Sequence, residues 1–305
     1  MPSPRVLILR APGTNCDEET AYAFQCAGAE TERVHVNRFI ENPALKDRYQ
    51  ILCVPGGFSY GDDIAAGRIL ATRLRRHLSE MVDAFVHGNG DRLVLGICNG
   101  MQVLMRLGVL TQGVSGEDQT PATLTWNNHG RFEDRWVHLA VDQTPCVFLK
   151  DIDRMYLPMA HAEGKFVAAD DSILGKLKDS GRLAIRYCEG ENGNVQDEVL
   201  PFPANPNGAD ANVAGVCDET GRVFGLSLTL NATSIPLSIH SGRVAKSSPS
   251  MATDWQCSKT RSTGSRNCPV RWNRNANRTF ACCPNSHAVT QGSPFESLLW
   301  LVLAV

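Results

Sequence analysis

Leu93-Val-Leu-Gly-Ile-Cys-Asn-Gly-Met-Gln102 is the stretch that decides the fold. It is an apolar run of strand length that passes through a glycine-bounded turn into a helical pattern, with Cys98 at the apex. Such a turn lifts its apex side chain above the sheet and directs free backbone N–H groups at whatever that side chain attacks. A helix N-terminus also favours a thiolate. Because Gly96 and Gly100 flank the cysteine, and a merely buried thiol needs neither, the pattern predicts a nucleophile.

Strands and helices alternate around this turn. The predicted strands of the first part are residues 5–10, 31–36, 51–54 and 93–97, and the predicted helices are residues 15–28, 62–86 and 99–107. This alternation is typical of an α/β protein with a mostly parallel, flavodoxin-like sheet and helices on both faces. After Gly108 a smaller β-rich part follows. Its predicted strands are residues 135–141, 154–158, 183–187, 212–217 and 222–225, with a short helix at 171–180.

The composition bounds the class of protein. A chain of 305 residues with 43% hydrophobic residues can bury one substantial core. No apolar run is long enough to cross a bilayer, and no signal peptide is recognisable, so we expect a cytoplasmic protein that does not contact a membrane. The eleven cysteines are scattered without a secretory signal, which favours reduced thiols over disulfides.

The charge is unevenly distributed. Residues 1–226 carry 22 basic and 30 acidic side chains, whereas residues 227–305 carry eight and two. We therefore place a boundary at Leu226 and expect a basic, disordered or frameshift-derived tail after it. The tail's cysteines fit no common zinc spacing. Its arginines lack the aromatic or helical pattern of a nucleic-acid site, so we expect neither a metal nor a nucleic-acid partner.

A second motif lies one strand earlier, at Val54-Pro-Gly-Gly-Phe-Ser-Tyr-Gly-Asp-Asp63. Two adjacent glycines after a strand let the backbone approach a substrate and turn an N–H toward it. Alone, this motif is as typical of a plain loop. Together with the cysteine turn it predicts an oxyanion hole, with one donor from Gly57 and one from the backbone N–H of Asn99.

Five separate phrases, in order along residues 4–226, resemble the glutaminase subunits of phosphoribosylformylglycinamidine synthase, within the class I glutamine amidotransferases. They are Ala11-Pro-Gly-Thr-Asn-Cys-Asp17, Pro55-Gly-Gly-Phe-Ser-Tyr-Gly-Asp62, Gly96-Ile-Cys-Asn-Gly-Met-Gln102, Ala160-His-Ala-Glu-Gly164, and Pro203-Ala-Asn-Pro-Asn-Gly208 followed by residues 212–215. The resemblance implies that Cys98 is the nucleophile and that Gln102 lies in the glutamine pocket.

The resemblance also implies partners. Ammonia released here would pass to a synthetase subunit that binds formylglycinamide ribonucleotide and uses ATP and Mg²⁺, with a small accessory subunit in the same complex. The chain itself would then need no cofactor or metal. His161 and Glu163 invite a metal or acid–base interpretation, but we favour a pocket or interface loop. We expect His129 and His138 to be surface or core residues rather than ligands.

The base that a cysteine nucleophile needs is missing from its expected place. The family motif sets a histidine and a glutamate directly after the last strand, where this chain has Thr229 and Asn231. Re-reading the codons after Leu226 in a shifted frame allows Pro-His-Pro-Glu-Arg-His over residues 227–233. We therefore hypothesise that residues 227–305 are a frameshifted translation, real or a sequencing error, and that resequencing would settle it.

Three functions remain open at this point. The first is a glutaminase subunit that supplies ammonia for purine synthesis, which the five phrases favour. The second is a scaffold that keeps the fold and the synthetase contact but lacks turnover, which the missing histidine and glutamate favour. The third is a cysteine hydrolase or peptidase with another substrate, which the phrases outside the turn argue against.

Overall fold

A computed structural model describes residues 3–88, 92–114 and 121–229 of the chain. Their strands are β1 (Arg5–Arg10), β2 (Glu30–His35), β3 (Ile51–Val54), β4 (Leu93–Ile97), β5 (Ala122–Thr125), β6 (Glu133–Val141), β7 (Arg154–His161), β8 (Lys165–Ala168), β9 (Ile185–Tyr187), β10 (Val213–Cys217) and β11 (Val223–Leu226). The α-helices are α1 (Asp17–Cys26), α2 (Val36–Glu41), α3 (Arg68–His77), α4 (Ser79–Val86), α5 (Asn99–Leu107) and α6 (Asp171–Asp179). Short 3-10 helices cover Pro43–Arg48, Ser59–Asp62, Val147–Leu149 and Asp210–Asn212.

Nine strands form one sheet in the order β2-β1-β3-β4-β11-β10-β9-β6-β7. The pairs from β2 to β11 are parallel, and the central strands β3 and β4 are buried along their whole length. Strands buried on both faces are continuous apolar runs, which explains why the sequence shows these two so clearly. The mixed α/β architecture predicted from the sequence is confirmed.

The β-rich second half continues the same sheet. Strands β11, β10, β9, β6 and β7 pair antiparallel, while β5 and β8 form a separate two-stranded ribbon. Helix α1 packs on β1 and β2, and α5 packs on β3, β4 and β11. The carboxyl ends of β3, β4 and β11 therefore open at one edge of the sheet, where α5 begins, as expected for an α/β site.

The structure corrects the predicted helix over residues 62–86. Its first part is a 3-10 turn and a loop, and α3 begins only after Gly67, whose φ is +71°. A second break lies at Leu78, whose φ of −136° and ψ of 25° separate α3 from α4. The buried side chains on both sides give one continuous apolar pattern, so periodicity alone missed the break.

Short elements are the other differences. Strands β5 and β8 have four residues each and α2 has six, and none was predicted. Segments this short carry too few periods for a hydrophobic pattern to stand out. In the part of the chain that the structure describes, no helix has the length and apolarity to span a membrane. Asn231 and the rest of the tail from residue 230 lie outside the described residues, so the frameshift hypothesis stays a prediction.

Candidate active site

Cys98 lies between the end of β4 and the first residue of α5, as predicted. Its φ is +51° and its ψ is −108°. A positive φ is uncommon for any residue with a side chain and is typically retained at functional sites. The backbone N–H of Asn99 faces the sulfur and lowers the thiol pKa. The turn therefore presents the cysteine and one N–H donor together.

The two glycines around Cys98 are required by close packing. A Cβ on Gly100 would lie 1.9 Å from the carbonyl oxygen of Val54 on β3. A Cβ on Gly96 would lie 2.6 Å from Cδ1 of Leu104 and 2.7 Å from the carbonyl oxygen of Gly100. Neither position has room for a side chain, because α5 starts directly against the two central strands. The glycines thus allow the helix to begin at the nucleophile.

The Gly57 loop reaches the same edge of the sheet. Gly57 has a φ of +127°, and a Cβ there would lie 2.8 Å from the backbone nitrogen of Asn15. The loop is braced by the segment after β1: the N–H of Phe58 donates to the carbonyl of Gly13 at 3.0 Å. Cys98 lies close by, since its Cβ would be 3.5 Å from a Cβ on Gly56. The structure thus places the Gly57 loop, which the sequence predicts to supply an oxyanion donor, beside Cys98.

The Asn99 side chain ties this loop to α5. Its Oδ1 accepts the backbone N–H of Ser59 at 3.2 Å, and its Nδ2 donates to Asp62 at 3.1 Å and to Gln102 Oε1 at 2.8 Å. Desolvation by burial raises the pKa of the Asp62 carboxyl. The residue whose backbone N–H faces the sulfur therefore also fixes the position of the loop carrying the second donor.

Gln102 and Glu163 connect α5 to the loop after β7. Gln102 Nε2 donates to the Glu163 carbonyl at 2.5 Å. The Glu163 carboxylate accepts the N–H of Ala66 at 3.2 Å and lies 3.6 Å from the Arg106 guanidinium. Arg106 in turn donates to the Ala66 carbonyl at 2.8 Å. The backbone N–H and the carbonyl of Ala66 are thus both hydrogen-bonded. Glu163 forms a structural ion pair in this arrangement.

The segment from Pro203 to Gly208 supports the site from behind, a role that the sequence did not reveal. Asn207 Nδ2 donates to the Gly164 carbonyl at 3.0 Å and to the hydroxyl of buried Tyr187 at 3.3 Å. That hydroxyl lies 3.4 Å from Ser227 Oγ, and burial raises the pKa of Tyr187 to about 12. The residues from Pro203 to Gly208 indicated the family, but the sequence did not predict that Asn207 contacts Gly164 and Tyr187.

Thr229, which stands where the sequence resemblance implies the base, lies near the Cys98 sulfur. Its backbone N–H donates to the Pro158 carbonyl at 2.9 Å, and its hydroxyl faces the Cys98 sulfur closely enough to lower the thiol pKa, although it makes no hydrogen bond of good geometry. Desolvation nevertheless dominates and raises the pKa of Cys98. Burial of the Cys98 thiol therefore opposes the thiolate that the helix N-terminus favours, which the sequence alone did not indicate. The thiol instead donates to the Ala160 carbonyl at 3.8 Å.

A small pocket lies in front of the sulfur. Cys98, Gln102, Leu124, His161, Glu163, Gly164 and Ser227 line it. Among the residues that the structure describes, no group of three or more His, Cys, Asp or Glu side chains is arranged to hold a metal. His129 lies 3.4 Å from Glu133, and His138 contacts the Tyr156 ring, both away from the pocket. The lining therefore places polar groups and the Cys98 sulfur side by side.

The chain is similar to known proteins over most of its length. The profile of the CobB/CobQ-like glutamine amidotransferase domain matches residues 3–236. Phosphoribosylformylglycinamidine synthase subunit PurQ from Dehalococcoides mccartyi is 45% identical over 227 residues, which cover 74% of this chain and 84% of the relative. The same subunit from Methanococcus maripaludis strain S2 is 40% identical over 223 residues, covering 73% and 80%. The chain belongs to the PurQ family of glutamine amidotransferases.

A solved structure agrees with the PurQ assignment. The structure of PurLQS from Thermotoga maritima superposes with a TM-score of 0.54 and 26% identity, over 74% of this chain and 87% of that one. The resemblance inferred from the five sequence phrases is confirmed. These relatives do not favour a non-catalytic scaffold or a cysteine hydrolase of another class.

Proposed function

We propose that this chain is the glutaminase subunit of phosphoribosylformylglycinamidine synthase. The Cys98 sulfur attacks the carboxamide carbon of glutamine and gives up its proton. Negative charge then forms on the former carbonyl oxygen, where the N–H groups of Asn99 and Gly57 stabilise it. Collapse breaks the C–N bond, and ammonia leaves with that proton. Water hydrolyses the γ-glutamyl thioester to glutamate and restores the thiol.

One observation carries this proposal. A strained, positive-φ cysteine begins α5 at the edge of the sheet, with the Asn99 N–H on its sulfur and the Gly57 loop beside it. Because the backbone fixes both the nucleophile and the N–H donors, they need not move when negative charge develops on the substrate oxygen. Such sites stabilise tetrahedral intermediates in this way. The match to the glutamine amidotransferase domain supports glutamine as the substrate.

The proposed partner is an ATP-dependent synthetase subunit. The relatives are named as subunits of the synthase, and the Thermotoga structure is of a PurLQS complex, which supports an assembly of this kind. We propose that ammonia passes from Cys98 to that subunit, which converts formylglycinamide ribonucleotide to the amidine. ATP and Mg²⁺ would act in that subunit, and this chain would hold no cofactor. The proposed complex also contains a small accessory subunit and is located in the cytoplasm.

Proton removal from Cys98 limits the rate in this proposal. Thr229 stands where the sequence resemblance implies a histidine, and its hydroxyl cannot act as a base at neutral pH. Across the described ranges, no histidine hydrogen-bonds the Cys98 sulfur. A positioned general base contributes roughly 10²–10⁴-fold in rate. We therefore expect slow glutamine hydrolysis by the chain as written.

Ammonia release from glutamine by the full chain tests the proposal. We expect slow release that Cys98→Ala abolishes. Cys26→Ala is the matched control, because Cys26 is a half-exposed cysteine at the end of α1 and should leave the rate unchanged. Release that persists in Cys98→Ala, or no release by either protein, would contradict the proposal.

A further inference from the structure

Cys146 and Cys217 are two buried thiols whose side chains contact each other. Cys146 precedes the short 3-10 helix Val147–Leu149, and Cys217 is the last residue of β10. They are 3% and 0% exposed, and the Cys146 thiol donates to the Cys217 sulfur. Cys217 pairs with Phe224 near the start of β11, whereas β11 approaches Cys98 only at its other end. The chemistry proposed for Cys98 therefore does not use this pair.

The backbone holds the two cysteines beside each other. Thr144 Oγ1 accepts the backbone N–H of Cys146 at 3.2 Å and lies 3.5 Å from the Cys217 sulfur, so one hydroxyl contacts both residues. The turn between β10 and β11 packs directly on the segment that carries Cys146. A Cβ on Gly221 in that turn would lie 2.1 Å from the Pro145 carbonyl oxygen. The contact between the thiols is therefore fixed from both sides.

The two thiols differ in their tendency to ionise. The hydrogen bond from the Cys146 thiol lowers the pKa of Cys217, and the Arg182 guanidinium acts in the same direction, while burial and the Asp218 carboxylate oppose it. Burial raises the pKa of Cys146. A more acidic cysteine reacts first with an oxidant, and a thiol held beside it can then complete a disulfide. The pair has this arrangement.

Little of the protein covers the pair. Val147, the residue after Cys146, is 40% exposed. Glu219 and Thr220, in the turn after Cys217, are also exposed. Opening a surface turn locally requires much less free energy than global unfolding. A small, uncharged oxidant such as hydrogen peroxide can therefore reach the two sulfurs in the folded protein.

We propose that Cys146 and Cys217 form a redox-sensitive dithiol, which hydrogen peroxide converts to an intramolecular disulfide. The Cys217 thiolate attacks one peroxide oxygen, the O–O bond breaks, and the leaving hydroxide takes up the proton released by Cys217 to give water. The Cys146 sulfur then attacks the sulfenic acid on Cys217. The S–S bond forms, the S–O bond breaks, and the hydroxyl leaves with the Cys146 proton as a second water. The two thiols are oxidised by two electrons, and one peroxide is reduced to two waters.

Peptide mapping of the full chain after treatment with hydrogen peroxide tests this proposal. Free thiols are alkylated in denaturant, and the protein is digested without reductant and examined by mass spectrometry. We expect a cross-linked pair of peptides that contain Cys146 and Cys217, which dithiothreitol separates. Cys53 is the matched control, because it is also 0% exposed but burial alone raises its pKa, with no contribution from another thiol. It should remain free and be alkylated.

Thermal unfolding provides a second measurement. The disulfide would join positions about 70 residues apart and restrict the unfolded chain. We expect oxidation to raise the unfolding temperature by roughly 5–10 °C, and dithiothreitol to reverse the rise. Cys146→Ala should abolish the rise, whereas Cys53→Ala should retain it. If Cys146→Ala does not fold, the peptide map of the unsubstituted chain still decides.

Three results would overturn the proposal. The first is that Cys146 and Cys217 both remain free under conditions that oxidise the half-exposed Cys26. The second is that Cys217 is oxidised to a sulfinic acid, or linked to another cysteine, without a bond to Cys146. The third is a rise in the unfolding temperature that persists in a folded Cys146→Ala variant.

Discussion

The two sides of the Cys98 sulfur differ in how completely they are built. On one side, the turn from β4 to α5 supplies a positive φ, two glycines without room for a Cβ, and an N–H on the sulfur. On the other side, the chain leaves β11 and brings Thr229 to the sulfur, at the position for which the sequence resemblance implies a histidine. The side of the proposed nucleophile has every part that the backbone supplies, whereas the side expected to carry the base has only a threonine hydroxyl.

This difference shows that the two sides depend on different things. The nucleophile side is made of backbone geometry, which the buried sheet and α5 hold in place. The base side depends on a single side chain, while its backbone is still anchored by the bond from Thr229 to Pro158. A site can therefore keep its shape while lacking its base, and the two sides can be perturbed separately.

Restoring the base should give the largest effect. Thr229→His places an imidazole beside the Cys98 sulfur, and we expect kcat for glutamine hydrolysis to rise about 100-fold, within the range for a general base. Asparagine is similar in size to histidine but does not titrate, so Thr229→Asn should not produce the rise in kcat. Equal rates for the wild-type chain and Thr229→His would show that the proton is already removed from elsewhere.

Filling the space at the helix start should give the next largest effect, on stability. Gly100→Ala puts a Cβ 1.9 Å from the Val54 carbonyl, and we expect a loss of about 2 kcal/mol in the free energy of unfolding despite the better helix propensity of alanine. Gly175→Ala in α6 is unobstructed and should gain about 0.5–1 kcal/mol. Denaturant melts measure both. Stabilisation by both substitutions would contradict the close approach of α5 to β3.

Loosening the oxyanion loop should have a smaller effect on rate. Asn99→Ala keeps the backbone N–H at the sulfur but removes the side-chain bonds to Ser59, Asp62 and Gln102. We expect kcat to fall about tenfold with little change in KM, because the second donor is misplaced when charge develops. Asn192→Ala, at an exposed position, is the control. A rise in KM at constant kcat would instead assign Asn99 to ground-state binding.

Weakening the Glu163 contacts should have the smallest effect. Glu163→Gln removes the charge opposite Arg106 but keeps an oxygen for the Ala66 N–H. Since partly exposed ion pairs contribute about 0–1 kcal/mol, we expect a loss of about 0.5 kcal/mol in stability and less than threefold in kcat. A loss of activity comparable with Cys98→Ala would show that Glu163 takes part in the chemistry.

The sequence predicted those parts of the site where the backbone conformation restricts which residue types can occur. Cys98 between two glycines and the Pro55-Gly-Gly motif were readable because few residues fit such conformations. The raised pKa of Cys98 was not readable, since it depends on burial by β7 and β11, which lie far away in sequence. The bond from Asn207 to Gly164 and the burial of the His161 ring were not readable for the same reason. They depend on which loops come into contact in the folded protein, and a local sequence pattern does not show those contacts.

The most direct test of the central claim is to trap the γ-glutamyl thioester. The full chain is mixed with glutamine, quenched in acid, digested and examined by mass spectrometry. We predict a γ-glutamyl adduct on the peptide containing Cys98, absent from Cys98→Ala and unaffected by Cys26→Ala. Glutamine hydrolysis without an adduct on that peptide, at a rate that Cys98→Ala leaves unchanged, would contradict the account.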